Sequence, residues 1–465
     1  MRRIDRLIGL AAAAGLVGCS LAPAYHVPPT PTAPAYKEGG VWAVATTDLP
    51  PGGPWWQAFG DPVLSGLESR IEAGNPDLAS AVARYDEARA VLGEARAGYY
   101  PGVDVGASGE RARVSADRPL SPGTAATYTD LRIGPSLAYE IDLFGRVRDT
   151  ARAAAASAQA SDRDVAGIRL GLQATLADDY FQMRELDART VLLRQTVAAF
   201  QRAYDLTTTR HNGGIASGID VSRADALLSS ARAELSAVAA DRASFEHAIA
   251  ALVGETPSSF SLTVVDGQRN PPAIPAGLPS TLLQRRPDIA AAERRVAAAN
   301  LRIGVARAAQ YPSLTLGAAG GFEAGSSAIL GASNGFWALG PLSAALSVFD
   351  GGARRARVRI SRAQYDEAAS SYRATVLAAF REVEDDLAHG QSLVQQERDQ
   401  ADATRAAEKT RDLALIRYRD GAADYLEVVT AQTAALDAQR ALLAIESARL
   451  QVAVDTVRAI GGTTP

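Results

Sequence analysis

The stretch Leu131–Arg146, with the sequence LRIGPSLAYEIDLFGR, contains the transition that decides the fold. Apolar side chains hold the odd positions from Leu131 to Leu143, and mostly small, polar or charged ones hold the even positions, which is the period of a β-strand. After Phe144 the pattern changes to Ala, Arg, Gln and Leu at helical spacing, and no proline follows before Pro257. The sequence therefore predicts a strand that runs into a helix from Arg146 to about Arg210, roughly 100 Å long.

The same arrangement occurs twice in the chain. Residues 75–78 (NPDL) and 286–289 (RPDI) each open a helical stretch, and Tyr100-Pro101 and Tyr311-Pro312 close these stretches. Both pairs of motifs are separated by 211 residues. A repeat of this length is too long for a solenoid and indicates two homologous halves of one architecture.

The repeats and the local composition give a predicted domain division. In chain order it comprises a signal peptide (1–18), an extended lipidated tail (19–60), a first structural repeat (61–255), a linker or equatorial segment (256–280), a second repeat (281–460) and a short tail (461–465). Within the repeats we place strands at about 101–143 and 312–349, with a polar loop over 111–128, and long helices at about 146–210 and 352–419. Five prolines exclude a helix from residues 255–280.

The amino terminus has the features of a bacterial lipoprotein signal. Met1–Arg6 is basic, Leu7–Val17 is a short apolar run, and Leu16–Cys19 resembles a lipobox around the one cysteine of the chain. We expect Cys19 to carry diacylglycerol and an N-acyl chain. An aspartate at position 20 would favour retention in the inner membrane. The serine at this position resembles the signal for sorting to the outer membrane. The alternative is an ordinary signal peptide with an unmodified cysteine.

The pattern of strands implies a structure shared between subunits. Each half contributes one hairpin, so one chain has four strands, whereas membrane barrels start at about eight. An open sheet edge is not tolerated in lipid, and the chain must then supply part of a common barrel. In each half two shorter helices match the long helix in length, which suits the wall of a helical tube. The alternative is two surface hairpins of a soluble protein.

The composition excludes several classes of function. The net charge of −4 gives no sign of nucleic-acid binding. The four histidines are scattered, and none has the spacing of a metal site. We find no phosphate-binding loop after a strand, and no constellation of catalytic residues. The sequence therefore predicts a protein that is not an enzyme and that has no cofactor apart from the lipid on Cys19.

Together these segments resemble the TolC/OprM-like outer-membrane factor family, in its lipoprotein branch. The matching segments are residues 19–23, 55–56, 59–62, 139–146, 286–289 with Glu293, 311–312 and 349–352. The resemblance implies a mainly α fold with a membrane β part. Its members form a homotrimer with a shared twelve-stranded barrel, a periplasmic α-barrel of twelve helices and a mixed equatorial domain.

The resemblance also implies the function. Family members are exit ducts in the outer membrane, which passively conduct small molecules such as drugs delivered by a periplasmic membrane-fusion adaptor and an inner-membrane RND-type transporter. The lipobox favours the drug- or metal-efflux branch. Two alternatives remain open, a type I secretion duct and a lipid-anchored coiled-coil protein without a pore.

The residues with the most pointed chemistry lie at the far end of the second repeat. Asp424 and Glu427 share one face of a new helix, where carboxylates also occur as ordinary solvated charges near an N-terminus. The resemblance places them at the periplasmic constriction, with Tyr418 and Arg419 nearby and Asp220 as the counterpart in the first repeat. A trimer would repeat these carboxylates as an acidic ring. Thr430 stands where many members have a further carboxylate, and Ala423 stands where some have a basic residue.

Overall fold

The structure is a computed structural model. It describes residues 20–31, 33–38, 54–117, 119, 123–265, 270–272, 274, 279–326 and 329–462. The predicted signal peptide and the predicted lipidation site Cys19 lie outside the described residues.

The described part of the chain is mainly helical. In chain order its elements are α1 (Pro62–Gly74), α2 (Pro76–Ala97), β1 (Gly102–Val114), β2 (Ala126–Ile141), α3 (Arg146–Asn212), α4 (Gly218–Leu252), α5 (Pro279–Arg285), α6 (Pro287–Ala308), β3 (Ser313–Ala324), β4 (Gly335–Ala345), α7 (Ala353–Arg419) and α8 (Tyr425–Ala459). The two long helices, α3 and α7, have 67 residues each, or about 100 Å. Among the described residues, no helix is both long enough and apolar enough to cross a membrane.

Each long helix begins at the same kind of turn after a hairpin. Asp142 accepts a hydrogen bond from the Arg148 backbone N–H at 2.9 Å, and Asp350 accepts one from the Arg354 backbone N–H at 3.1 Å. Gly145 supplies a positive φ of 75° just before α3 begins. Because a carboxylate at a helix start satisfies backbone donors that have no intrahelical partner, these turns determine where the strand pattern ends and the helix begins.

The four strands form one antiparallel sheet in the order β1-β2-β3-β4. The register pairs Gly102 with Ala138, Leu131 with Ala324 and Ser313 with Ala345. Within the described residues, β1 and β4 are therefore edge strands, each with a neighbour on one side only.

Three boundaries predicted from the sequence were wrong. The polar loop is shorter than the predicted 111–128, since β1 reaches Val114 and β2 starts at Ala126. The reason is that backbone hydrogen bonds between the two strands pair polar residues as readily as apolar ones. Strand β4 ends at Ala345 rather than near 349, since the next position would face Pro312, which has no N–H to donate. Helix α5 begins inside the proline-rich linker, because its Pro279 occupies a first-turn position that proline tolerates.

The chain divides into two compact units. The first, which we call the strand unit, comprises Met1–Pro29, Arg84–Ser161 and Ala291–Arg373, and the second, the helical unit, comprises Thr30–Ala83, Asp162–Ala290 and Ala374–Pro465. In the helical unit, Trp55 is 1% exposed and packs edge-on against Phe59. This packing fixes the residues just before α1.

In the strand unit, the tail that follows position 19 is bound to helices. The Ser20 hydroxyl donates to Asp149 Oδ2 at 2.7 Å, and the side chains of Asn300 and Arg307 donate to tail backbone carbonyls at 2.9 and 3.0 Å. A Cβ on Gly304 would lie 2.4 Å from Asp149 Oδ2, so only glycine leaves room for the tail. The described residues of the tail before position 39 form no helix or strand, and these contacts hold residues 20–23 against helices.

Candidate functional site

The candidate site is built from two chain reversals in the helical unit. Helix α3 turns into α4 through residues 213–217, and α7 turns into α8 through residues 420–424. A glycine with positive φ lies in each turn, Gly214 at 76° and Gly421 at 75°. Such a left-handed residue is the usual end of a helix. A buried cluster joins the two reversals, in which Ala224 of α4 packs against Ala414 and Tyr418 of α7 and against Tyr425, Val428 and Ala431 of α8.

Tyr418 is the centre of this cluster. Its side chain is 6% exposed, and its ring lies 5.3 Å from the ring of Tyr425. The Arg210 guanidinium lies 4.6 Å from the centre of the Tyr418 ring and donates to the Tyr418 carbonyl at 2.6 Å. Burial, together with the neighbouring Tyr418, raises the pKa of Tyr425 to about 12, so this phenol stays neutral at physiological pH. Arg210 thus links the two reversals.

Asp424 and Glu427 begin α8 in two different roles. Asp424 is the N-cap, and its side chain accepts the Glu427 backbone N–H at 3.0 Å. The Glu427 carboxylate accepts a hydrogen bond from Arg417 at 2.7 Å, and Arg417 also donates to the Ala422 carbonyl at 3.2 Å. Arg417 therefore supplies a positive charge at the second reversal. Ala423, at the position where some family members have a basic residue, does not. Asp424 and Arg417 are exposed, and Glu427 is partly exposed.

Asp220 has a local role in the first reversal. It forms a capping box with Ser217, whose hydroxyl donates to Asp220 at 2.7 Å. Its other neighbour is Arg223, at 3.7 Å. The structure places the Asp220 carboxylate with these residues of its own helix start. The reason is that the first backbone N–H groups of a helix have no partner within the helix. A carboxylate at the third helical position can accept a hydrogen bond from the N-cap backbone N–H. Arg419 is exposed.

The sequence reasoning missed Thr207, Arg210 and Arg417 as members of this site. A signal for both arginines was present, because each lies in the last turn of a long helix, where a cation interacts favourably with the helix dipole. Thr207 gave no such signal, and its hydroxyl lies 3.5 Å from the Tyr418 hydroxyl. In the part of the chain that the structure describes, no group of three or more His, Cys, Asp or Glu side chains could hold a metal ion.

A duplicated chain with two helices of 67 residues and a four-stranded sheet with two open edges defines a class of protein, the outer-membrane channels. The chain belongs to the outer membrane efflux protein family, whose sequence model matches residues 67–255 and 278–462. It is a component of an efflux system in the outer membrane, and the predicted fold class, function and location are confirmed at this level.

Its similarity to individual proteins covers nearly the whole length. The toluene efflux pump outer membrane protein TtgC of Pseudomonas putida is 32% identical over 463 residues, which cover 98% of this chain and 95% of TtgC. OprJ of Pseudomonas aeruginosa is 31% identical over 457 residues, or 96% of this chain and 93% of OprJ. Among solved structures, the outer-membrane channel OprN superposes with a TM-score of 0.89 at 30% identity, covering 96% of this chain and 99% of the OprN chain.

Proposed function

We propose that three copies of this chain form the exit duct of a tripartite efflux pump, together with a periplasmic membrane-fusion adaptor and an inner-membrane RND-type transporter. The duct passively conducts small organic molecules. This class of cargo is supported by the names of relatives, which refer to toluene in one case and antibiotics in another. Copurification tests the partners, since recovery of an ABC-linked adaptor instead of an RND-type one would support the secretion-duct alternative.

The observation that carries the proposal is the pair of open edges on the sheet. Strands β1 and β4 each leave one row of backbone N–H and C=O groups unpaired within the described residues. Each unpaired group costs several kcal/mol in lipid, so closure with further copies is strongly favoured. Three copies of four strands give the twelve-stranded barrel that the family resemblance implies.

Native mass spectrometry in detergent and planar-bilayer recording together test this assembly. We expect a trimeric mass and discrete single-channel currents. A folded monomer would overturn the shared barrel, and a trimer without conductance would favour the coiled-coil alternative without a pore.

We further propose that Tyr418, Arg419, Asp424, Glu427 and Asp220 frame the periplasmic constriction. The support is their position at or beside the two reversals, together with the exposure of Asp424 and the partial exposure of Glu427. Repeated around a trimer axis, these carboxylates attract cations. Arg417 neutralises part of this charge through its contact with Glu427.

Reversal potentials under a salt gradient test the acidic ring. The double variant Asp424→Ala/Glu427→Ala should lose cation selectivity, whereas Asp402→Ala, which removes an exposed carboxylate further back on α7, should not. If the double variant keeps the wild-type reversal potential, Asp424 and Glu427 do not form an acidic ring and are ordinary charges at a helix N-terminus. Tyr418→Phe should change selectivity little, because among the described residues its hydroxyl makes only the long contact with Thr207.

The covalent lipid on Cys19 is a separate proposal. It is supported by the lipobox and by the way that Ser20 and the residues after it are held against helices in the strand unit. The acyl chains then anchor the protein without spanning the membrane. Mass spectrometry of the amino-terminal peptide should find diacylglycerol and a third acyl chain on Cys19. An unmodified cysteine, or cleavage at another position, contradicts the assignment.

A further inference from the structure

A cavity of about 360 Å³ opens between three helices of the helical unit, away from the reversals. Helices α3, α4 and α8 form its walls. Its lining residues are Gln182, Glu185, Leu186, Asp241, Ser244, Phe245, Ala444, Ser447 and Gln451. The volume is at the lower end of the range for small-molecule sites, and it admits a ligand of one ring and a short chain.

Two carboxylates line the cavity, of which Glu185 is half-buried and Asp241 is exposed. Neither Glu185 nor Asp241 makes a hydrogen bond or an ion pair with any residue that the structure describes. Burial raises the pKa of Glu185, and the Arg189 guanidinium opposes this rise only in part. A cation inside the cavity would remove this cost, since opposite charges in a partly desolvated site interact more strongly than in water.

The nearest guanidinium groups are committed to other partners. Arg189, one turn beyond Glu185 on α3, donates to Glu234 at 2.9 Å. Arg242, beside Asp241 on α4, donates to Asp187 at 2.6 Å. The negative charge of the cavity is therefore uncompensated within the lining set, which contains no Lys or Arg.

The remaining walls define the kind of cation. Phe245, Leu186 and Ala444 offer an aromatic ring and aliphatic surface, which suit the apolar body of a ligand. The side chains of Gln182 and Ser244 provide further oxygen acceptors for an N–H donor. Hydrated metal ions do not need apolar walls, whereas a protonated organic amine uses both kinds of surface.

We infer that this cavity binds a small organic cation, with its ammonium group between Glu185 and Asp241 and its apolar body against Phe245. The site is distinct from the residues of the proposed constriction. A duct with such a site would hold amines transiently in addition to conducting them.

Ligand-observed NMR on the full-length protein in a non-ionic detergent tests the inference with three matched probes. Phenethylammonium carries the cation, 2-phenylethanol is its neutral counterpart, and phenylacetate is an anion of similar size. We expect phenethylammonium to bind at least about tenfold more tightly than the alcohol, because the ion pair is a charge-assisted interaction, and phenylacetate to show no binding.

Variants place the binding in the cavity. The double variant Glu185→Gln/Asp241→Asn should abolish the preference for the amine over the alcohol. Asp225→Asn, an exposed carboxylate on the same helix α4, and Asp424→Asn/Glu427→Gln at the reversal should both keep it. Equal binding of amine and alcohol to the wild type would overturn the inference. It would also fail if the cavity variant kept the preference, or if either control variant lost it.

Discussion

Glu68 is a buried acid whose removal should stabilise the protein at neutral pH. It lies on α1 in the helical unit, is 1% exposed, and neither of its carboxyl oxygens has a hydrogen-bond partner among the described residues. Burial raises its pKa from 4.5 to about 9. The side chain is therefore a neutral carboxylic acid at pH 7 in the folded protein and a carboxylate in the unfolded chain.

The pKa difference determines how stability varies with pH. Between about pH 4.5 and 9 the folded state binds a proton that the unfolded state has released, so the free energy of unfolding falls as the pH rises. Each unit of pKa difference corresponds to about 1.4 kcal/mol, which gives a loss of about 4 kcal/mol at pH 7.5 relative to acidic solution. This is a large part of the roughly 5–15 kcal/mol that stabilises a folded domain.

Denaturant unfolding in detergent, followed by circular dichroism from pH 5 to 9, measures this effect. Glu68→Gln removes the titration, so the variant should match the wild type near pH 5 and exceed it by several kcal/mol at pH 8. Glu72→Gln is the control, because Glu72 lies on the same helix, is exposed and pairs with Arg169 at 2.8 Å. Parallel pH profiles for the wild type and Glu68→Gln would refute the reasoning.

Three further substitutions test individual contacts. Arg417→Gln should lower the free energy of unfolding by less than about 1 kcal/mol, as expected for an exposed ion pair. It should nevertheless increase cation selectivity, because Glu427 loses its partner. An unchanged reversal potential would count against the proposed constriction. Asp187→Asn should lower the free energy of unfolding by about 3–5 kcal/mol, since it removes the carboxylate paired with the largely buried Arg184 and leaves Arg242 with Glu246; a loss under 1 kcal/mol would contradict this. Gly304→Val should release the tail from Asp149. Backbone amides of residues 20–25 should then exchange hydrogen faster, while exchange in the rest of the chain stays unchanged. Unchanged exchange in residues 20–25 would show that binding of the tail does not need the glycine.

The long helices could be predicted from the sequence because their signal is spread over many residues. A run without proline and with regular spacing of small and apolar side chains predicted α3 from Arg146 to about Arg210, and the helix ends at Asn212. The paired motifs 211 residues apart likewise predicted the duplication. Both features average over tens of positions, so a few atypical residues do not obscure them.

Contacts made by single side chains could not be predicted in this way. The pair of Arg417 and Glu427 spans a reversal, and nothing in the spacing of ten residues distinguishes it from other pairs of opposite charge. The ends of β1 and β2 depend on how the two strands pair. This register cannot be predicted from the sequence of either strand alone. Glu68 is different, because it shares the buried face of Leu64, Leu67 and Ile71. This helical spacing is present in the sequence and could have indicated a buried charge, although our sequence analysis did not single out Glu68.

The duplication leaves the two reversals unequal in a way that bears on opening. Arg210 and Arg417 occupy matching last-turn positions, yet Arg417 bonds within its own reversal and Arg210 reaches across to the other one. Its hydrogen bond to the Tyr418 carbonyl contributes about 1.5–3 kcal/mol, and its position over the ring adds about 1 kcal/mol. Separating the reversals must break both interactions and expose Tyr418, whereas the pair of Arg417 and Glu427 can move intact. Arg210 therefore links the two reversals together with the buried cluster around Tyr418, whereas the Asp424 and Glu427 carboxylates make no contact with the first reversal among the described residues.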